Sequence, residues 1–97
     1  MKKIDLDMNI PHSRQQIHEY LKVKLDLPDY YGANLDALYD CLTTITEPTA
    51  VGVTYQFPPY ESEDHDLIAY LEKIKLVFRD AEDDNPNLAV FWFDQYL

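Results

Sequence analysis

Apolar residues recur along this chain at two periods, and the changes of period mark its elements. "KKIDLDM" alternates Ile4, Leu6 and Met8 with polar residues, the spacing of a strand with one buried face. "HSRQQIHEYLKVKLDLP" switches to helical spacing, with Ile17, Leu21 and Leu25 on one stripe. Ser13 is its N-cap and Gln16 stands three residues on, the spacing of a capping box. Pro28 ends this helix and Gly32 punctuates the turn that follows. "ANLDALYDCLTTI" predicts a second helix buried through Leu35, Leu38 and Leu42. "TAVGVTYQF", bounded by Pro48 and by Pro58-Pro59, is rich in β-branched residues and predicts a second strand. "PPYESED" predicts a loop or one irregular turn. "HDLIAYLEKIKLVFRDAEDD" is the longest helical pattern, burying Leu67, Leu71, Ile74 and Phe78. "PNLAVFWF" predicts a last strand, apolar enough to be buried on both faces, with Trp92 in the core. The order β-α-α-β-α-β, with helices long enough to cross over, argues for an α/β fold: a small parallel sheet covered by helices.

Length and charge narrow the function. Ninety-seven residues suit a single domain over 1–97, and 46% hydrophobic residues suffice for a core. Eight basic residues stand against eighteen acidic ones. From Leu25 to Glu72 there is no Lys or Arg, while ten acids fall in that interval. Such a surface repels nucleic acid and anionic membranes and attracts a basic partner. Asp5 and Asp7 break any signal-like apolar run, no stretch is long enough to span a membrane, and one cysteine cannot form an internal disulfide. These features predict a cytoplasmic protein.

The second helix sets Asp36, Tyr39 and Asp40 opposite its leucine face. Like charges at i, i+4 cost an isolated helix about 0.2–0.5 kcal/mol. Asp36 lies in the first turn, where the helix dipole favours an acid, but Asp40 lies near the C-terminus, where it does not. Asp80 and Asp84 repeat the spacing near the end of the long helix. Carboxylates placed against local preference point to work done with another molecule.

The run "LPDYYGANLDALYDCL" resembles the signature of the barstar family, intracellular inhibitors of secreted barnase-type ribonucleases. The likeness extends over nearly the whole chain, including "VFRDA" before the last strand. It implies a three-stranded parallel sheet packed with three to four helices. It also implies a one-to-one complex with a basic extracellular ribonuclease, in which an acidic helix face mimics RNA phosphate. By this resemblance Asp40 occupies the phosphate subsite and Tyr30 packs over the catalytic histidine. Asp36 and Asp80 pair with basic residues at the cleft, and Asn34, Leu35, Tyr39 and Thr43 are further contacts. The resemblance also places Tyr31 in the core. The chain departs from the better-known family member at Tyr39 and Ile45, where that protein has Trp, and at Ala33 and Asp80, where it has Glu. A second cysteine is absent, and "PPYESED" is a few residues longer and carries prolines where that protein has a short helix.

Other chemistries fit less well. His12, His18 and His65 share no ligand spacing with each other or with Cys41, and "DAEDDNPNLAVF" lacks the Gly and Glu of a calcium loop, so no metal or cofactor is expected. Cys41, beside Leu38 and Leu42, reads as a buried small hydrophobe. Asp36 and Asp40 could in principle act as a glycosidase pair, but both project from one helix face with no sign of a cleft between them. An inhibitor is therefore expected over an enzyme. The alternative within the binding class is an immunity protein that neutralises a different basic nuclease or toxin. Concavity separates the two classes, since an enzyme needs its acids in a pocket and an inhibitor needs them on a ridge.

Overall fold

A computed structural model describes residues 1–56 and 65–95. "PPYESED" lies outside the described residues, as does Phe57 at the end of the second predicted strand. Strand β1 (Lys2–Asp7) is followed by helices α1 (Arg14–Lys24) and α2 (Leu35–Thr43), strand β2 (Thr49–Gln56), helix α3 (His65–Asp84) and strand β3 (Leu88–Gln95). The strands form one parallel sheet in the order β1-β2-β3. The α/β class and the parallel sheet are as expected, and the described residues contain three helices.

Local chemistry explains where the helices start. The Ser13 hydroxyl caps α1 by accepting the Gln16 N–H at 3.1 Å. The Gln16 side chain reaches back to accept the His12 N–H at 2.8 Å, so two backbone donors are satisfied reciprocally. Asn34 caps α2, its Oδ1 accepting the Ala37 N–H at 2.8 Å. The turn between these helices uses its residues differently from the sequence reading. Gly32 does not supply the left-handed backbone; Ala33 does, at φ 52°. Gly32 instead permits a close approach, because a Cβ there would meet the Ala37 Cβ at 3.3 Å.

A strand order that runs in one direction through right-handed crossovers places every helix on the same face of the sheet. Ile4, Leu6, Val51, Val53, Leu88 and Val90 point into that helical layer and are buried. They meet Ile17 and Leu21 of α1, Leu38 and Leu42 of α2, and Leu67, Leu71, Ile74 and Phe78 of α3 in one core. The opposite face is open, which corrects the expectation for the last strand. Phe91 is 54% exposed and Phe93 58%, so β3 is buried on one face only. Phe93 lies over β2, and a Cβ added at Gly52 would come within 3.2 Å of its ring. Trp92 faces the core, meeting Phe78 edge-on at 6.1 Å, but stays partly exposed.

Candidate functional site

The two ends of α2 are held differently, and the difference shapes the surface. Its start is capped by Asn34, as above. Its C-terminus carries no basic residue in the last turn. There Asn85, buried just beyond α3, donates to the Leu42 carbonyl at 2.9 Å and the Ile45 carbonyl at 3.0 Å. Its own Oδ1 accepts the Asn87 N–H at 3.0 Å. Orphan carbonyls at the end of α2 are thus satisfied by a neutral amide from another element. Nothing in the periodicity of the sequence singled out Asn85; "NPN" after a helix signals only a turn.

With α2 fixed at both ends, Asp36 and Asp40 project from its exposed side, and Asp80 is exposed on α3. Tyr30 is 88% exposed, whereas its neighbour Tyr31 turns inward, its hydroxyl 2.6 Å from His18 Nδ1. Tyr30 and Asp40 border a surface groove of about 470 Å³ lined also by Leu27, Cys41, Thr44 and Ile45. Neither Asp36 nor Asp80 lines this groove. Asp36 and Asp40 therefore do not face each other across this groove.

Four expected contact residues have structural duties as well. Asn34 spends its Oδ1 on the α2 cap, and its amide donates to the Gly32 carbonyl at 3.2 Å. Leu35 is half-buried against the core. The Thr43 hydroxyl donates back to the Tyr39 carbonyl at 2.9 Å. Tyr39 does not project freely with its acidic neighbours; its ring packs partly against the core, and its hydroxyl donates to the carboxylate of Asp84 on α3. That hydrogen bond, partial burial and the negative charges of Asp84, Asp80 and Asp40 all raise the phenol's pKa. Asp84 therefore joins the site. Its sequence signal was its place one turn after Asp80.

Cys41 is only half-buried and lines the groove, not fully buried as expected. Burial, then the negative charge of Asp40, raises its thiol pKa, which keeps it protonated and poorly nucleophilic. Among the described residues, no group of three or more His, Cys, Asp or Glu side chains is placed to hold a metal ion.

Comparison with known proteins gives the arrangement a context. Residues 1–94 match the family described as Barstar (barnase inhibitor). A relative from Bacillus subtilis (strain 168), "Putative ribonuclease inhibitor YrdF", is 36% identical over 84 residues, which cover 87% of this chain and 89% of the relative.

Proposed function

The chain belongs to the barstar family, and from that premise we propose that it inhibits a basic, barnase-type guanyl-specific ribonuclease by occupying its active-site cleft. The observation that carries the reading is the exposure of Tyr30, Asp36 and Asp40 within a stretch, Leu25 to Glu72, that lacks Lys and Arg, with Asp80 exposed on α3. A ribonuclease cleft is basic because it binds phosphate. A carboxylate fixed on a helix offers the same charge without a scissile bond and can form short, charge-assisted hydrogen bonds to arginine and histidine.

The roles divide by position. Asp40 enters the phosphate subsite, and Tyr30, beside it on the groove rim, lays its ring over the catalytic histidine. Asp36 and Asp80 pair with basic residues at the edge of the cleft, where water still reaches them. Asn34, Leu35, Tyr39 and Thr43 supply the surface between. The protein is an inhibitor and not an enzyme; it acts in the cytoplasm, one molecule to one ribonuclease, and uses no cofactor. Its carboxylates do no chemistry.

The test is titration of several guanyl-specific microbial ribonucleases with the protein while RNA cleavage is followed. Cleavage should fall linearly to an end point at one equivalent, and a small nucleotide should compete. Undiminished cleavage at molar excess across these enzymes would overturn the ribonuclease assignment and direct the search to another basic toxin.

A further inference from the structure

The proposed docking face is built on two helices, and one polar contact ties them together there. Tyr39 and Asp84 are 45 residues apart, yet the phenol of one donates to the carboxylate of the other. The base of the Tyr39 ring is anchored against the core, and its tip is held by α3. Asp84 ends α3, whose last turn has no basic residue. The local dipole disfavours an acid at this position, and the phenol supplies a donor that the helix lacks.

We propose that Asp84 is a positioning residue of the docking face, pinning the Tyr39 ring across α2 and α3 so that Asp40 and Asp80 keep one spacing before a partner arrives. The proposal rests on the reading of this face as a ribonuclease-binding surface. Asp40 follows Tyr39 directly on α2, and Asp80 precedes Asp84 by one turn on α3. A brace between Tyr39 and Asp84 is thus a brace between the two carboxylates that meet the cleft. The negative charges of Asp84, Asp80 and Asp40 all act to raise the phenol's pKa. Holding such a constellation in the free protein removes an ordering cost from binding. The hydroxyl is essential to this brace: an aromatic ring without a donor would fill the same space and leave Asp84 unheld.

A carboxylate that contributed only charge would act independently of Tyr39, and the variants separate the two roles. Tyr39→Phe removes the donor and keeps the ring. Asp84→Asn keeps an acceptor and removes the charge, while Asp84→Ala removes both. In the free protein, with tyrosine ring carbons labelled for NMR, Asp84→Ala should lower the pKa of the Tyr39 phenol towards that of an ordinary tyrosine. Against a guanyl-specific ribonuclease, Tyr39→Phe and Asp84→Ala should each weaken inhibition by roughly three- to tenfold. The double variant should be no weaker than the worse single one, and Asp84→Asn should lose less than Asp84→Ala. Additive losses would overturn the proposal, as would a silent Tyr39→Phe with equal losses for Asn and Ala at position 84. Wild-type protein that inhibits no such enzyme would remove the docking-face reading. The Tyr39 titration needs no enzyme, and an unchanged titration in Asp84→Ala would disprove the brace by itself.

Discussion

Acidification should destabilise this protein through His18, whose imidazole is 3% exposed and lies between two tyrosine hydroxyls. Nδ1 is 2.6 Å from the Tyr31 oxygen and Nε2 is 2.5 Å from the Tyr70 oxygen. A neutral imidazole has one donor and one acceptor, so one tyrosine accepts from the ring and the other donates to it. An imidazolium has two donors, and the donating hydroxyl would have to turn away. The cavity beside the ring carries charges of both signs. The Arg14 guanidinium sits 4.6 Å over the Tyr70 ring, and Lys22 lines the same cavity; Glu19, the acid there, accepts a hydrogen bond from Gln15. Burial accordingly lowers the His18 pKa below its ordinary value of 6.5. Between the lowered value and 6.5 the unfolded chain binds a proton that the folded chain refuses. Stability is therefore complete above pH 6.5 and falls as pH drops towards the folded value. One proton gives a slope of at most about 1.4 kcal/mol per pH unit, a ceiling of about 2 kcal/mol between pH 6.5 and 5. Urea unfolding across this range isolates the contribution if His18→Gln is measured alongside, because glutamine keeps a donor and an acceptor without titrating. His12, His65 and the carboxylates are common to both proteins, so the difference between the two profiles belongs to position 18. Parallel profiles for wild type and variant between pH 7 and 5 would refute the reasoning.

Three further outcomes follow from single contacts. Asn85→Ala removes three hydrogen bonds of a buried side chain and leaves the α2 carbonyls without their donor, so urea unfolding should show a loss of about 2–4 kcal/mol. Ala33→Gly relieves a left-handed residue and should raise unfolding free energy by about 0.5–1 kcal/mol, with no change in secondary structure by circular dichroism. Asp40→Ala relieves the unfavourable dipole and the charge of Asp36 one turn away, so stability should rise by about 0.5–1.5 kcal/mol. In a stopped-flow and inhibition assay the same change should cost about 2–5 kcal/mol of binding. An Asp40→Ala protein that unfolds would show the residue to be structural.

The parts of the fold that depend on neighbours in sequence were readable from it. The strand alternation at Ile4 and Leu6 and the Ser13–Gln16 cap are local, and each is present in the structure; Met8 is buried as expected but lies in the turn just beyond β1. The last strand departs from its sequence expectation because "LAVFWF" is apolar on both of its faces, and an uninterrupted apolar run carries no sign of which face is covered. Only the strand order, which puts all the helices on one side, decides that Val90 is buried and Phe91 exposed. In the site, the exposure of Asp36, Asp40 and Asp80 follows from helical periodicity. The contacts of Tyr39 with Asp84, and of Asn85 with Leu42 and Ile45, join residues more than 35 positions apart. No local pattern encodes such pairs. Left-handed backbone at an alanine beside a glycine is similarly illegible, since the glycine is the expected occupant.

The way α2 is held bears directly on what its surface can bind. A helix that ends beside exposed acids would ordinarily be stabilised by Lys or Arg in its last turn, where cations meet both the dipole and the free carbonyls. Either residue here would stand close to Asp40 and offer it an internal counterion. A partner's arginine would then have to displace that counterion, and attraction at long range would be reduced. The chain instead satisfies those carbonyls with the neutral amide of Asn85, and ties Tyr39 to Asp84 through a neutral phenol. Uncharged donors thus take over the work of cations at the end of α2, and no internal counterion is placed on that helix beside Asp40. The cost is borne by α2 as repulsion between Asp36 and Asp40 and by α3 as an acid at its C-terminus. The buried core shared by the sheet and all three helices offsets those terms.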